Sequence, residues 1–571
     1  MNKHGTFFCL SLALLLICSF GNADSRTIHV GEGQKYVTLA AALSKVKDRD
    51  LEIIVHGTVN ERSTISIVDR RVLLRGSGSA KIQLSNMHFR QCDITLGDGE
   101  NLLQMTGSID ARNSSIHSMD GITLQSETVA LSLQECTVDF QGGEYYGKTT
   151  GVALTECDAR IESGRFEGDT ALFVDKSYVS EIAGGEFISS GTQAIFLSRT
   201  HVGEISGGHI VKHGDKKMVS RAALYIDHET VIDLITAGDF IAESGSGMLL
   251  IRGAHIGKIS GGTFQSLSEN SELAFCHHGV TILSGGDGYE TGIDCIEGGT
   301  FCSSGAERSY GLLAYCNAAG MVYIGNISGE ALFQGSSGLV LTNAHSKGTA
   351  AIETIQGGEF YAVNEPDSPV YADAALGIYS GSIQTIIDGT FLSKRNYASA
   401  LLLDAACFLD TEEVGEGGSV GDICGGRYIS TGIGSAVMLG EATSQLRCIS
   451  DGYFYGNTAV ISGSVEPVTI DGGTYFSTGK ICICEVNPEG QMLLEPSLAK
   501  EMGKARFMVE GYLMEGVQDK HLFQSVCDGQ FVYPTIEGTE GTYVISNDGV
   551  IANEQEALTR DILFRYLTAI F

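Results

Sequence analysis

A short motif recurs along most of the chain and constrains its fold more than any other feature. It consists of an aliphatic residue, a variable one, two small residues that are usually glycine, a polar residue and an aromatic one, as in ISGGTF at 259–264 and IEGGTF at 296–301. The shortest interval between two copies is 21 residues, as from Tyr145 to Phe166. Repeats of about this length are typical of solenoids, in which each repeat stacks on the next. The last position of the motif is held by Tyr145, Phe166, Phe187, Ile210, Phe240, Phe264, Phe301, Phe333, Phe360, Phe391, Tyr428, Phe454 and Tyr475.

Each repeat also contains further short apolar pieces, such as ALYI at 223–226 and ALLL at 400–403. They are rich in apolar residues and are bounded by glycine or polar residues, which indicates strands. Three short strands cannot bury a face alone, but stacking each on its copy creates one continuous core. The sequence therefore predicts an all-β fold, a right-handed parallel β-helix, with the glycine pair at a sharp corner and the aromatic residue in an internal stack.

Composition narrows the classes of protein that remain. The chain has 571 residues, and 43% of them are hydrophobic, which is ordinary globular content and excludes a disordered tail. Its 74 glycines follow no three-residue period and it has only 6 prolines, which excludes collagen. The formal net charge of −32 disfavours nucleic acid as a partner, since phosphate recognition relies on positive patches.

The N-terminus has the pattern of an export signal. Lys3 and His4 precede an apolar run at 7–20, and small residues follow at Gly21 and Ala23. The run is shorter than the roughly 20 residues that span a bilayer, so we expect a secreted or cell-surface protein with no membrane span. The expected organisation is a signal peptide at 1–23, an N-terminal cap with a short helix at 24–60, β-helix repeats at 61–480, and a C-terminal cap or small α+β region at 481–571.

The cysteines leave three interpretations open. Of 15 cysteines, Cys9 and Cys18 lie in the predicted signal, so an odd number remains. Cys136 and Cys157 occupy matching places in LSLQECTVDF and VALTECDARI. This spacing favours a buried stack of small apolar side chains over a disulfide between neighbouring repeats or a metal site.

The order of strand, short helix and strand around TIHVGEGQKYVTLAAAL, followed by stacked repeats, resembles the pectin-lyase-like superfamily of right-handed β-helices. The resemblance covers about 27–480 and extends to secreted bacterial β-helix repeat proteins. It implies the fold but no single activity, because the superfamily includes lyases, hydrolases, esterases, epimerases, adhesins and phage proteins. The catalytic segments of its polygalacturonases, pectin methylesterases and mannuronan epimerases are missing from this sequence, so no catalytic residue is carried over.

Candidate binding residues come from insertions that mostly follow the aromatic strand and should share one edge of the helix. The loop at 211–221 is basic in an otherwise acidic chain, and the loops at 265–279, 302–311 and 392–399 add histidine, arginine and tyrosine. Cations and aromatic rings are what an anionic sugar polymer requires. The candidate ligand-binding residues are Lys212, His213, Lys216, Lys217, Arg221, His277, His278, Arg308, Tyr310 and Tyr397, and we expect Tyr310, Tyr361, Tyr371 and Tyr397 to be exposed.

Two functions fit these patterns. The first is an exported, non-catalytic and monomeric protein whose loop-decorated edge binds polysaccharides or surface glycans. The second is a carbohydrate-active enzyme such as a uronate polysaccharide lyase, with the loops at 211–221 and 265–279 forming its cleft. The sequence predicts no cofactor, although the many Asp and Glu side chains suit Ca²⁺.

Overall fold

Short parallel strands make up most of the chain. The computed structural model describes residues 25–214, 222–268, 277–304, 308–363, 374–405, 416–466, 468–470 and 472–478, together with the backbone of six later strands between 483 and 553. Within these ranges, one sheet of 48 strands winds from Arg26 to Val509, and its pairings are parallel apart from one at the C-terminal end. The predicted right-handed parallel β-helix is therefore confirmed.

The strands lie on three faces, named A, B and C in the order in which the chain visits them in each turn. Face A holds Thr58–Asn60, Ile122–Ser126, Glu144–Gly147, His209–Lys212, Asp239–Ala242, Thr263–Ser266, Thr300–Ser303, Leu332–Gly335, Arg427–Ser430, Tyr453–Gly456, Thr474–Ser477 and Arg506–Val509. Face B holds Ile65–Val68, Val129–Gln134, Thr150–Thr155, Ala222–Asp227, Ser246–Ile251, Val280–Leu283, Tyr310–Cys316, Ser337–Asn343, Ala374–Tyr379, Ser399–Asp404, Ser435–Leu439, Thr458–Ser462 and Ile483–Val486.

Face C holds Arg26–Gly31, Asp50–His56, Arg71–Gly76, Asp93–Leu96, Ser115–Ser118, Thr137–Phe140, Asp158–Ile161, Tyr178–Ile182, His201–Ile205, Val231–Ile235, His255–Ile259, Glu290–Ile296, Met321–Ile327, Ser419–Ile423, Gln445–Ile449 and Thr469–Ile470. Longer strands continue round a corner and belong to two faces. From A to B these are Ser79–Arg90, Leu102–Arg112, Arg165–Asp175 and Glu186–Ser198, and from C to A they are Thr349–Ala362 and Ser382–Ser393.

The glycine pair forms the corner between faces C and A, as predicted. The second glycine has a positive φ, for example +96° at Gly262 and +100° at Gly299, which other residues rarely adopt. The first glycine lies against the preceding turn, so that a Cβ at Gly261 would approach Thr236 O to 2.1 Å. Both positions therefore require glycine for different physical reasons.

The aromatic residue after this corner points inward and stacks on its copy in the next turn. Phe240 and Phe264 have ring centroids 4.7 Å apart, Phe264 and Phe301 5.0 Å, and Phe301 and Phe333 4.7 Å. These four rings are fully buried. The predicted internal stack is thus confirmed, and in the turns before Tyr145 aliphatic side chains and a methionine continue the same inward column, namely Val59, Ile82, Met105 and Leu124.

A second ladder follows the tight turn between faces B and C, and its hydrogen bonds were not predicted from the sequence. The Cys157 amide donates a hydrogen bond to Ser177 Oγ at 3.0 Å, and the Cys136 amide donates to Cys157 Sγ at 3.4 Å. The residue before each ladder position has a positive φ, for example 54° at Glu135 and 55° at Glu156. The ladder side chain of the next turn therefore accepts a hydrogen bond from a backbone amide that the tight turn leaves without a backbone partner. Cys136 and Cys157 are free and buried, which confirms the stacked-thiol interpretation.

From strand Ala222–Asp227 to strand Ser435–Leu439, face B is largely apolar on both sides. Its outward residues form a second cluster that includes Tyr225, Leu249, Leu313 and Tyr379, while the alternate residues point into the core. Burial on both sides explains why the face B strands read as continuous apolar runs in the sequence.

At the N-terminus, the helix Leu39–Lys45 lies between the first two strands, with Thr38 as its N-cap. Leu39 and Ala42 join the main core, whereas Val37, just before the N-cap, is 66% exposed. At the other end, Ile483–Val486 and Arg506–Val509 pair in parallel with the preceding turn, so the ladder continues beyond residue 480. Met492–Leu493 pairs antiparallel to Ile483–Val486, and Ile536–Gly538, Gly541–Ile545 and Ile551–Asn553 form a small antiparallel sheet.

We expect Phe264→Ala to lower the free energy of unfolding by about 3–5 kcal/mol, because it removes a ring packed between two others and leaves a cavity. Chemical denaturation monitored by far-UV circular dichroism would measure the change. Thr263→Ala, on the same strand but facing outward, should cost less than about 1 kcal/mol. Equal effects of the two substitutions would contradict the inward assignment.

We also expect Cys136 and Cys157 to resist alkylation in the native protein and to react only after unfolding, since both thiols are buried. Cys424 is exposed and should react in the folded state, which provides an internal control. Peptide mass spectrometry after iodoacetamide treatment distinguishes the three thiols. A Cys136–Cys157 linked peptide in a non-reduced digest would contradict the assignment.

Candidate functional site

The sequence placed Lys212 in a basic, solvent-facing loop, and the structure shows that this prediction is wrong. Lys212 is the last residue of strand His209–Lys212 and is 1% exposed. Its neighbours above and below are Ser189 and Ala242, so the lysine replaces a small residue at this corner. Its Nζ donates hydrogen bonds to Ser244 Oγ at 2.9 Å and to His213 O at 3.3 Å. Burial lowers the pKa of Lys212 to about 8, although the charge of Glu243 opposes the change.

His277, His278 and Tyr310 are also buried, which corrects the expectation that Tyr310 is exposed. The His278 and Tyr310 rings stack at 4.8 Å with an interplanar angle of 3°, and His278 Nδ1 accepts a hydrogen bond from the Tyr310 amide. Burial raises the pKa of Tyr310 well above its ordinary value. These three side chains pack inside the structure and do not form a surface for a ligand.

The remaining candidates do not come together into one visible site. His213 is half exposed, and its Nδ1 lies 3.1 Å from Glu243 Oε1. Arg308 is half-buried, and Tyr397 is 48% exposed, as predicted. Lys216, Lys217 and Arg221 lie outside the described residues, as does Tyr371, while Tyr361 is half-buried and donates a hydrogen bond to Glu359. A binding role for the exposed members stays a prediction.

A groove of about 890 Å³ lies instead on the outer side of face C. It extends from strand Met321–Ile327 to strand Thr469–Ile470. One column of residues in parallel register forms its floor, namely Tyr323, Ala351, Ser382, Ser419 and Gln445. Small side chains in the middle of this column, with Tyr323 at one end and Gln445 at the other, create the depression.

Polar side chains line the groove beside this floor. Glu353, Gln384 and Glu466 contribute carboxylate and amide groups, and Ser382 and Ser419 contribute hydroxyls. These groups supply hydrogen-bond donors and acceptors at several points along one direction. A volume of this size lies within the range of ligand-binding clefts.

The lining residues, all of which belong to the described ranges, carry more negative than positive charge. Their one cation is Arg447, which is in direct contact with Asp422. Glu353 and Glu466 add negative charge. The electrostatics of the groove therefore oppose an anionic ligand.

Tyr323 is held in place by two residues from earlier turns. Its hydroxyl lies 2.7 Å from His255 Nδ1 and 3.3 Å from Asp294 Oδ1, and His255 Nε2 lies 3.2 Å from Asp294 Oδ2. The contact spans two turns because Gly292 lies between His255 and Tyr323 in the register. A Cβ at Gly292 would come within 2.6 Å of the Tyr323 ring. Burial and the charge of Asp294 raise the pKa of Tyr323 to about 12, so the phenol is protonated at neutral pH.

The groove was not predicted from the sequence, because it lies on the strands of face C and not in the inserted loops. The signal is present in the strands AIETI, SIQTI and SVGDI, each of which begins with a small residue at the same register position. Within the described residues, His, Cys, Asp and Glu side chains form no group of three that could hold a metal ion. Calcium binding stays a prediction.

Comparisons with known proteins leave the function open. The chain matches no protein-family description, no curated protein and no solved structure. Across the described ranges, none of the helical segments combines the length and apolar character needed to cross a bilayer.

The buried His277 should make the protein sensitive to acid. Among the described residues neither of its ring nitrogens has a hydrogen-bond partner, and burial lowers its pKa from 6.5 to about 4. Because the unfolded chain takes up this proton near pH 6.5 and the folded chain only near pH 4, stability falls as the pH is lowered through that window, by up to about 3 kcal/mol.

His277→Leu should remove this part of the pH dependence, which denaturant unfolding at pH 7 and pH 4.5 would measure. His213→Leu is the control, since that half-exposed histidine lies beside Glu243 and its loss should leave the His277 contribution intact. A His277→Leu protein that loses as much stability on acidification as the unmodified protein would contradict the assignment.

Proposed function

We propose that this chain is an exported, non-catalytic β-helix protein that binds a neutral polysaccharide in the groove on face C. The groove carries the proposal, because it combines an aromatic ring at Tyr323, a floor of small side chains, and hydroxyl, amide and carboxylate groups along one line. Sugars present apolar ring faces that pack on aromatic rings, and hydroxyls that pair with such polar groups.

The charge of the groove supports a neutral ligand over the anionic polymer suggested by the basic loop. Lys212 is buried and Arg447 is in contact with Asp422, so neither offers a free cation to a uronate carboxylate. A uronate lyase requires such a cation together with a proton acceptor. These observations favour binding over elimination chemistry.

The proposal also includes secretion of the protein and its relationship to the pectin-lyase-like superfamily. The apolar run at 7–20 supports secretion, and the strand–helix–strand order at the start supports kinship with the pectin-lyase-like superfamily. A β-helix also suits an extracellular scaffold, since its long faces can follow an extended polymer.

The substitution Ser382→Trp should abolish binding, because Ser382 lies at the centre of the groove floor and faces outward. Affinity electrophoresis in gels containing xylan, mannan, starch or hydroxyethylcellulose, with alginate and polygalacturonate as anionic comparisons, would show which polymer retards the protein. We expect retardation of the unmodified protein by at least one neutral polymer, and no detectable retardation of the variant by the same polymer.

Thr390→Trp is the matched control, since Thr390 lies on the same strand but faces outward on face A. It should bind like the unmodified protein. Binding that survives Ser382→Trp, or retardation by the anionic polymers alone, would refute the proposal.

A further inference from the structure

The floor of the groove is part of a longer column of residues. The register continues from Tyr323 through Gly292, His255, Val231 and His201 to Tyr178, and all of these residues lie on face C. At a strand spacing of about 4.8 Å, the column from Tyr178 to Gln445 is on the order of 40 Å long. The groove occupies only its C-terminal half.

The N-terminal half of the column carries rings beside carboxylates, and we name Tyr178, His201 and His255, together with Tyr323 at the adjoining end of the groove, the Tyr–His stripe. The Tyr178 and His201 rings meet edge to face at 5.4 Å, and Tyr178 is 44% exposed. His201 Nε2 lies 2.8 Å from Asp233 Oδ2, in the same arrangement as His255 and Asp294. Each histidine is thus oriented by an acidic residue from the next turn.

Glycines beside the stripe let each strand pack closely on its neighbour in the adjacent turn. Gly257 and Gly325 lie beside the stripe, and a Cβ at either would come within 3 Å of the carbonyl of Asp233 or Asp294. Gly292 leaves the space over which the Tyr323 ring reaches His255. The rings are therefore fixed before any ligand arrives, which reduces the entropy lost on binding.

We infer that the Tyr–His stripe is a second binding segment, continuous with the groove, and that the ligand is a long linear neutral polysaccharide lying parallel to the helix axis. This inference rests on the proposed function of the groove. Rings along the stripe offer faces and edges to successive sugar rings, and the carboxylates of Asp233 and Asp294 accept hydrogen bonds from sugar hydroxyls. The same carboxylates disfavour an anionic chain.

A two-segment site predicts that affinity depends on chain length, because a chain that engages one segment binds the other at high effective concentration. The probes are size-fractionated oligosaccharides prepared from whichever of xylan, mannan, starch or hydroxyethylcellulose retards the protein most strongly. Isothermal titration calorimetry should show that fractions long enough to cover both segments bind at least tenfold more tightly than fractions that fill the groove alone.

The double variant Tyr178→Ala/His201→Ala should lose this gain for long fractions while binding short ones unchanged. The matched control is Tyr146→Ala/His209→Ala, which removes a tyrosine and a histidine that face outward on face A. If short fractions bind and Ser382→Trp abolishes that binding, but affinity shows no dependence on length, the inference fails and the proposed function stands. If none of the four polymers binds, both fail.

Discussion

In-register parallel pairing places every side chain directly against its equivalent in the next turn, and the rest of the structure depends on this constraint. Inside, a column must consist of groups that pack well on themselves, as Phe301, Phe333 and Phe360 do at centroid distances of 4.7 and 4.8 Å. Outside, a column of like charges would be destabilising. Arg165 accordingly lies between Glu144 and Glu186.

The same constraint explains which features could be predicted from the sequence. A side chain that must stack on its own copy recurs at the same position of each repeat, so the motif alone predicts the inward aromatic column and the glycine corner. The inward position of Lys212 could not be predicted in this way, because the equivalent residues in the adjacent turns, Ser189 and Ala242, are small and no lysine recurs there. Its position beside a basic loop indicated exposure, whereas its register places it at an inward-facing corner.

His278 and Tyr310 show a second limit. Both lie at the start of face B, where insertions of different lengths separate the copies in the sequence, so no regular spacing relates the two residues. Their stacking becomes evident only from the register, in which Val280 pairs with Leu312 and the residues two places earlier therefore oppose each other. The groove could not be predicted for a different reason. Small outward residues such as Ser382 and Ser419 have no charge or ring that would mark them as binding residues in the sequence.

Face C is the surface on which a binding function can develop without cost to the core. From strand Ala222–Asp227 onward, face B uses both sides for packing, whereas the outward column on face C changes from rings to small residues without disturbing the inward side. In each strand the inward residues Ile324, Ile352 and Ile383 stay aliphatic while their outward neighbours vary. Because side chains alternate between the two sides of a strand, core packing and ligand binding depend on different residues. The inward residues maintain the solenoid, while the outward residues are free to match a ligand.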